Sequence, residues 1–389
     1  MTTTITIDRS YLVETARRLV QIDSVNPSLV EGGAGEAEIS SYVRHALHEL
    51  GLETRQHEPR PGRVSVVGRL PGQGDGRSLM LNAHYDTVGV AEMADPFSGA
   101  VRDGRLYGRG AYDMKGSLAA QLAAAKALVD AGLSLSGDLL VAAVADEEYA
   151  SIGTADLLDH YRPDGAIVTE PTDLRVCLAH KGFVWLEVET FGRAAHGSRF
   201  DQGVDANMRM GRFLSALEEL EQSLRARPPH PLVGPPSLHA ATLRGGTELS
   251  VYAAHCRLGV ERRTVPGETR AQVEAEIREI IERLAAADVT FQAAVNTLLV
   301  RDPFEVSADA AIVQAVDEAA AVGLGERRPH VGDTPWMDSA LLSAAGVETV
   351  VVGPSGEGAH AAEEWVDVDS LVTLAEILAS SAVLYCEQG

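Results

Sequence analysis

Apolar runs alternate with helix-like segments through the first part of the chain. The pattern predicts helices over Ser10–Gln21, Ala37–Leu50 and Ser117–Val129, and strands over Val64–Val67, Leu79–Ala83 and Leu139–Ala145. Buried strands that alternate with helices are typical of a sheet covered by helices on both faces. We therefore expect an α/β domain built on a mixed sheet.

The pattern changes between Phe183 and about Asn296. In order, this segment predicts strand Val184–Thr190, helix Val204–Leu224, strands Leu238–Leu243 and Cys256–Glu261, helix Glu268–Ala285 and strand Val289–Ala294. A β-α-β-β-α-β order is that of a ferredoxin-like unit. We expect such an α+β unit to be inserted in the larger domain.

Composition narrows the possible partners and location. The 389 residues, 45% of them hydrophobic, are enough for two globular domains, and the formal net charge of −23 makes nucleic acid and anionic membranes improbable partners. Three widely spaced cysteines indicate neither a disulfide framework nor a thiolate zinc site. The polar first residues lack the features of a secretory signal, and no window suggests a membrane span. The prediction is a cytoplasmic protein.

Histidines and carboxylates gather where apolar runs end. His84 follows the run Leu79–Ala83, and the remaining candidates lie in similar places: Asp113, Glu147, Glu148, Glu170 and His360. Open α/β sheets carry their chemistry at the carboxyl ends of strands. We expect every one of these residues to follow a buried strand, and hence to meet at one edge of the sheet.

These residue types suit two divalent cations that share a carboxylate and together activate a water molecule. His84 and Glu170 can serve one cation, Glu148 and His360 the other, with Asp113 as the bridge. Glu147 is then available as the general base, and Asp86 can orient the His84 imidazole through its other nitrogen. Taken singly, each feature has a simpler explanation: a hydrogen-bonded histidine and aspartate, a solvated turn, or a strand terminus.

The chain also resembles a known family. Four segments match it in order: Gly108–Gly116 (GRGAYDMKG), Asp146-Glu147-Glu148, Thr169-Glu170-Pro171 and Ala194–Ser198 (AAHGS). They resemble the M20 metallopeptidases, which include deacetylases, desuccinylases and peptidases. The resemblance implies that Glu147 is the base. It also implies five metal ligands: His84, Asp113, Glu148, Glu170 and His360.

The same resemblance suggests residues outside the metal shell. It implies that His196 stabilises the oxyanion, often in the neighbouring subunit, and that Arg263 binds a substrate carboxylate. Ser250 stands where many relatives have an asparagine, so its substrate contact is a weaker expectation.

Because Glu170 precedes the inserted unit and His360 follows it, the catalytic domain is expected to be discontinuous. The predicted bounds are 1–181 and 297–389 for the catalytic domain, with 182–296 as the inserted lid or dimerisation domain. The expected activity is two-metal hydrolysis of an N-acyl amino acid, with a di- or carboxypeptidase as the alternative and a non-catalytic binding relative as a third class. The expected cofactors are two zinc ions, or cobalt or manganese. The expected partners are a small substrate and a second copy of the chain.

Overall fold

The computed structural model describes residues 5–91 and 93–387. The helices are α1 Arg9–Gln21, α2 Ala37–Glu49, α3 Gly116–Asp130, α4 Ile152–His160, α5 Ala206–Arg225, α6 Arg270–Ala287, α7 Ala311–Leu324, α8 Ser339–Ala344 and α9 Val368–Cys386. The strands are β1 Glu53–Arg60, β2 Arg63–Leu70, β3 Leu79–His84, β4 Ala100–Arg102, β5 Arg105–Tyr107, β6 Leu139–Val144, β7 Gly165–Val168, β8 Cys177–His180, β9 Gly182–Phe191, β10 Ser237–Gly245, β11 His255–Thr264, β12 Gln292–Arg301, β13 Phe304–Glu305, β14 Val331–Asp333, β15 Glu348–Val351, β16 Gly356–Glu357 and β17 Trp365–Asp367.

The described residues divide into two compact units. The first contains the residues up to Leu178, then Val306–Val331 and those from Met337 onward. Its main sheet has the order β1-β2-β6-β3-β7-β15-β8-β13, with β14 also paired to β8. Strands β6, β3, β7 and β15 run parallel, whereas β1, β2 and β8 pair antiparallel with their neighbours. The sheet is therefore mixed, as expected.

Helices cover the parallel strands. Helices α1, α3, α9 and α7 pack on one another in a continuous layer, and α4 and α8 pack together elsewhere on the same sheet. The central strands β3 and β6 are fully buried, so their largely apolar sequences reflect cover on both faces. A second, small sheet has the order β16-β17-β5-β4.

Helix α9 qualifies the expectation that no segment could span a membrane. The helix has 19 residues, and an 18-residue window within it has a mean hydropathy of 1.5. By length and composition alone, α9 could therefore span a membrane. However, 61% of that window is buried, and α9 packs against α3 and α7. In this structure α9 is a core helix of the first unit.

The second unit contains Ala179–Glu305 and Gly332–Trp336. Its elements follow the order β9, α5, β10, β11, α6, β12, and the antiparallel sheet has the order β10-β11-β9-β12. Alternate residues of β9 are buried, and its apolar face packs with both helices around Phe213 and Ile277. This arrangement confirms the inserted ferredoxin-like α+β unit.

One predicted strand differs in its bounds, and one strand was not predicted. The strand expected over Val289–Ala294 is β12, which begins at Gln292 and runs to Arg301, so the unit extends beyond the expected bound at 296. Strand β1 carries no apolar pattern, because it is a largely exposed edge strand held to β2 through its backbone. A pattern of buried positions could not reveal it.

Candidate metal centre

The predicted ligands form two groups in the first unit. In one group, His84 Nε2 lies 3.0 Å from Asp113 Oδ1 and 3.4 Å from Glu170 Oε1. In the other, His360 Nε2 lies 3.3 Å from Asp113 Oδ2 and 3.1 Å from Glu148 Oε2. The atoms of each group all lie within 4.8 Å of one another.

Asp113 belongs to both groups through different oxygens. Its Oδ1 faces His84 and its Oδ2 faces His360. A carboxylate that presents one oxygen to each group has the geometry of a bridge between two cations. The separations of 3.0–3.4 Å match the spacing of about 3.3 Å between ligands on one tetrahedral zinc ion.

Strand ends position most of this centre. His84 is the last residue of β3, Glu148 lies in the turn after β6, and Glu170 comes two residues after β7. Asp113 and His360 are exceptions to the expectation that every candidate follows a buried strand. Asp113 follows β5 of the small sheet and lies in an irregular turn before α3. His360, with a positive φ of 62°, follows β16 of the same small sheet.

The electrostatics of the centre fit divalent cations. Hydrogen bonds to Asp113 and Glu148 raise the pKa of the His360 imidazole to about 10. Burial alone would lower the pKa of His84, but Glu170 and Asp113 raise it well above its ordinary value. Burial and the Asp113 carboxylate raise the pKa of Glu170 to about 7. Positive charge close to these carboxylates would therefore be stabilising. Two dications would supply that charge and leave the imidazoles as neutral ligands.

Glu147 adjoins the centre without joining either group. Its Oε2 lies 4.0 Å from His84 Nε2, farther than the oxygens of the two ligand groups. Burial, together with the carboxylates of Glu170 and Asp338, raises its pKa well above the ordinary value. A carboxylate beside the two ligand groups, rather than within either of them, has the position required of a proton acceptor.

Asp86 is placed differently from the expectation. The His84 Nδ1 lies 3.0 Å from the backbone oxygen of Asp86, whereas the Asp86 carboxylate is 3.7 Å away. The imidazole therefore donates to the backbone carbonyl. The carboxylate instead accepts the backbone N–H groups of Glu147 at 3.0 Å and Glu148 at 3.3 Å. Asp86 thus orients His84 through its main chain and fixes the turn that carries Glu147.

Sequence reasoning missed a buried polar network beneath that turn. The Asn26 amide donates to Asp86 Oδ2 at 2.8 Å and to Asp146 Oδ1 at 3.0 Å. The Arg63 guanidinium donates to Asp146 at 2.6 Å and to Glu36 at 2.7 Å. Nothing in the spacing of these residues links them, because 120 positions separate Asn26 from Asp146.

Glu364 was also missed, although it holds Asp113 in place. Its Oε1 accepts the backbone N–H groups of Tyr112 at 2.9 Å and Asp113 at 3.1 Å. Its Oε2 accepts from Arg109 Nη1 at 2.6 Å and from the Gly110 N–H at 3.1 Å. Glu364 is 1% exposed, so this carboxylate is a buried anchor for the turn that carries the shared ligand.

Asp338 lies near the base and does not cap the helix that follows it. It precedes α8, but no side-chain capping bond forms there. Instead its Oδ2 accepts from the Thr154 hydroxyl at 2.5 Å. Burial raises the pKa of Asp338 to about 6, and its charge contributes to the raised pKa of Glu147. Asp338 is therefore part of the electrostatic surroundings of the base.

The other three predicted residues lie in the second unit. The exposed His196 Nδ1 lies 2.8 Å from the Ser198 hydroxyl and 3.2 Å from the Ser198 N–H, and both groups can donate to Nδ1 in the tautomer that carries its proton on Nε2. The Gly197 N–H donates to the Ser250 carbonyl at 2.7 Å, so His196 and Ser250 occupy neighbouring loops. The Arg263 guanidinium donates to the Thr334 carbonyl. The roles assigned to these residues remain predictions.

Comparison with known proteins identifies the family. The model of peptidase family M20/M25/M40 matches residues 80–383, which is more than half of the chain. The chain belongs to this family. It is therefore a hydrolase of the class that cleaves amide and peptide bonds. The matched segment contains all five candidate ligands and Glu147.

Individual relatives agree with this M20 assignment. The acetylornithine deacetylase of Myxococcus xanthus is 32% identical over 336 residues, covering 83% of this chain and 84% of the relative. The N-formyl-4-amino-5-aminomethyl-2-methylpyrimidine deformylase of Bacillus subtilis is 27% identical, covering 98% of this chain and 96% of the relative.

Solved structures share the fold. The aminopeptidase PepT of Bacillus cereus has a TM-score of 0.79 at 19% identity, covering 97% of this chain and 99% of that one. A dinuclear metal-binding M20 peptidase of Bacillus subtilis has a TM-score of 0.76 at 19% identity, covering 98% and 99%. At these identities the likeness establishes the fold alone.

Proposed function

We propose that this M20 hydrolase uses two divalent cations, zinc in the first instance, to release the acyl group of an N-acyl amino acid. One observation carries the proposal: Asp113 presents separate oxygens to two imidazole–carboxylate groups, with Glu147 beside them. Imidazole and carboxylate donors suit zinc, and also cobalt or manganese.

The cations would acidify a water molecule and polarise the substrate carbonyl. Glu147 accepts the proton of the attacking water and returns it to the leaving amine, because its carboxylate lies close to the centre without being one of the ligands. Asp86 holds the Glu147 backbone, so the base keeps its position while it exchanges the proton. His196, with its proton on Nε2, is the proposed donor to the oxyanion.

The relatives support an N-acyl bond as the bond that is hydrolysed. Both curated relatives described above remove an acyl group from nitrogen, one an acetyl and the other a formyl group. We therefore place a deacylase before a di- or carboxypeptidase. Arg263 is the proposed partner for a carboxylate of the substrate.

A substrate panel tests this proposal. The metal-loaded enzyme is assayed with N-acetyl, N-formyl and N-succinyl amino acids and with dipeptides, and a Glu147→Gln enzyme is run as the blank. We expect kcat/KM to be higher for one of the N-acyl amino acids than for any dipeptide. Higher kcat/KM on dipeptides would establish the peptidase instead, and no hydrolysis of either class would reject both.

Assembly and location belong to the proposal as well. An exposed strand β10 at the edge of the second unit leaves backbone groups for pairing with another chain. We propose a homodimer formed through that unit, with His196 acting in the site of the partner. A cytoplasmic location remains a prediction from the composition.

A further inference from the structure

A third cluster of metal-binding side chains lies in the first unit, apart from the catalytic centre. Among the described residues it comprises His57, Asp156 and His160, with one donor atom from each within 4.8 Å of the others. His57 is on strand β1. Asp156 and His160 are one turn apart on α4, the helix that packs against β1. Residues at this spacing share one face of a helix.

The three side chains approach one another, but the histidines lie too far from Asp156 for hydrogen bonds. His57 Nδ1 lies 3.8 Å from Asp156 Oδ2, and His160 Nε2 lies 4.0 Å from Asp156 Oδ1. Both separations exceed a hydrogen bond, yet they are only slightly longer than the spacing of about 3.3 Å between ligands of one tetrahedral zinc ion. The His160 side chain is 51% exposed at the end of α4, so a small rotation can close the gap.

A neighbouring tyrosine fixes the orientation of His57. The His57 Nε2 lies 3.1 Å from the Tyr161 hydroxyl, and the tyrosine ring meets the imidazole edge-on. In the tautomer that donates from Nε2 to the tyrosine, Nδ1 carries the lone pair and lies 3.8 Å from Asp156 Oδ2. Histidines that bind metals commonly use their other ring nitrogen in this way.

The cluster lies away from the catalytic edge of the sheet. Helix α4 begins just after the turn that carries Glu147 and ends at His160, about 13 Å farther along its axis. His160 also lines a cavity of about 300 Å³ whose wall includes Ser78 and Asp138. These two residues immediately precede β3 and β6, at the strand ends opposite the catalytic centre.

We propose that His57, Asp156 and His160 bind a further divalent transition-metal ion, zinc in the first instance. Two imidazoles and one carboxylate suit zinc, cobalt or nickel, whereas calcium and magnesium prefer oxygen ligands alone. The ion would tie the edge strand β1 to α4.

Equilibrium dialysis of the full-length chain against free Zn²⁺ tests the site, with bound metal counted by elemental analysis. His160→Gln is expected to bind one zinc fewer than wild type, while its hydrolytic activity stays unchanged. His45→Gln is the matched control, because His45 pairs with Glu49 at the same helical spacing, 3.2 Å apart, without a third ligand among the residues that the structure describes. It should bind as much zinc as wild type.

A second variant probes the orienting tyrosine. Tyr161→Phe should keep the same zinc capacity at saturation but bind the additional ion about 10- to 100-fold more weakly. Equal zinc binding by wild type and His160→Gln would overturn the assignment. So would an equal loss in His45→Gln, or a loss of activity along with the lost ion, because the missing ion would then belong elsewhere.

Discussion

Glu364 should control both metal sites although it contacts neither histidine. The substitution Glu364→Gln replaces one carboxylate oxygen by an NH₂ group. Each oxygen accepts two buried donors, so either orientation of the amide places its NH₂ against N–H groups. The orientation that keeps the Arg109 contact leaves the Tyr112 and Asp113 N–H groups without an acceptor.

The size of the effect follows from those two groups. A buried donor left unpaired costs about 1–3 kcal/mol, so Glu364→Gln should lower the free energy of unfolding by about 2–6 kcal/mol. The turn that carries Asp113 loses its anchor at the same time. Outer partners of metal ligands contribute about 10- to 100-fold in affinity, and we expect a loss of that size at both sites.

The assay has two parts. Denaturant unfolding in the presence of a chelator measures the free energy of unfolding without a metal contribution, and competition with a coloured chelator measures the metal affinities. Glu363→Gln is the control, because Glu363 is the exposed neighbour. The reasoning would be refuted if Glu364→Gln matched this control in both measurements, or if only one metal were bound more weakly.

Four further outcomes are expected. Glu147→Gln should still bind both catalytic metals but lose about 10²- to 10⁴-fold in kcat, and near-normal turnover would remove it as the base. Asp113→Ala should reduce occupancy of both catalytic sites in elemental analysis, whereas loss at one site alone would argue against the bridge. Arg63→Met should lower the free energy of unfolding by about 3–5 kcal/mol, because buried carboxylates lose their partner, while the exposed Arg60→Met should be near neutral in the same denaturant assay. Mixing His196→Ala with Glu147→Gln chains should restore partial activity if His196 acts across a dimer. If heterodimers confirmed by mass recover no activity, His196 does not act in the partner's site.

The candidate ligands could be found from the sequence because most of them lie close to the ends of apolar runs. Apolar runs reveal buried strands, and His84, Glu148 and Glu170 lie at or just after the ends of such strands. The order of the inserted unit was visible for a related reason. Its strands alternate between buried and less buried positions, as in β9, and its helices carry one apolar face.

The supporting residues could not be found in the same way. Glu364 resembles its neighbour Glu363, and only the fold brings it to Asp113, 251 positions earlier in the chain. Strand β1 is polar because it lies at a sheet edge, so its histidine gave no signal. The orientation of Asp86 depends on whether its main chain or its side chain faces His84, and residue types do not specify that choice.

Anomalous diffraction from crystals grown with zinc tests the two-metal centre most directly. We predict two peaks about 3.5–4 Å apart, one beside His84 and Glu170 and the other beside His360 and Glu148. Each should lie about 2.0–2.2 Å from a different oxygen of Asp113. A single peak in this centre, or a pair of peaks that Asp113 does not join, would contradict the shared-carboxylate site on which the proposed activity depends.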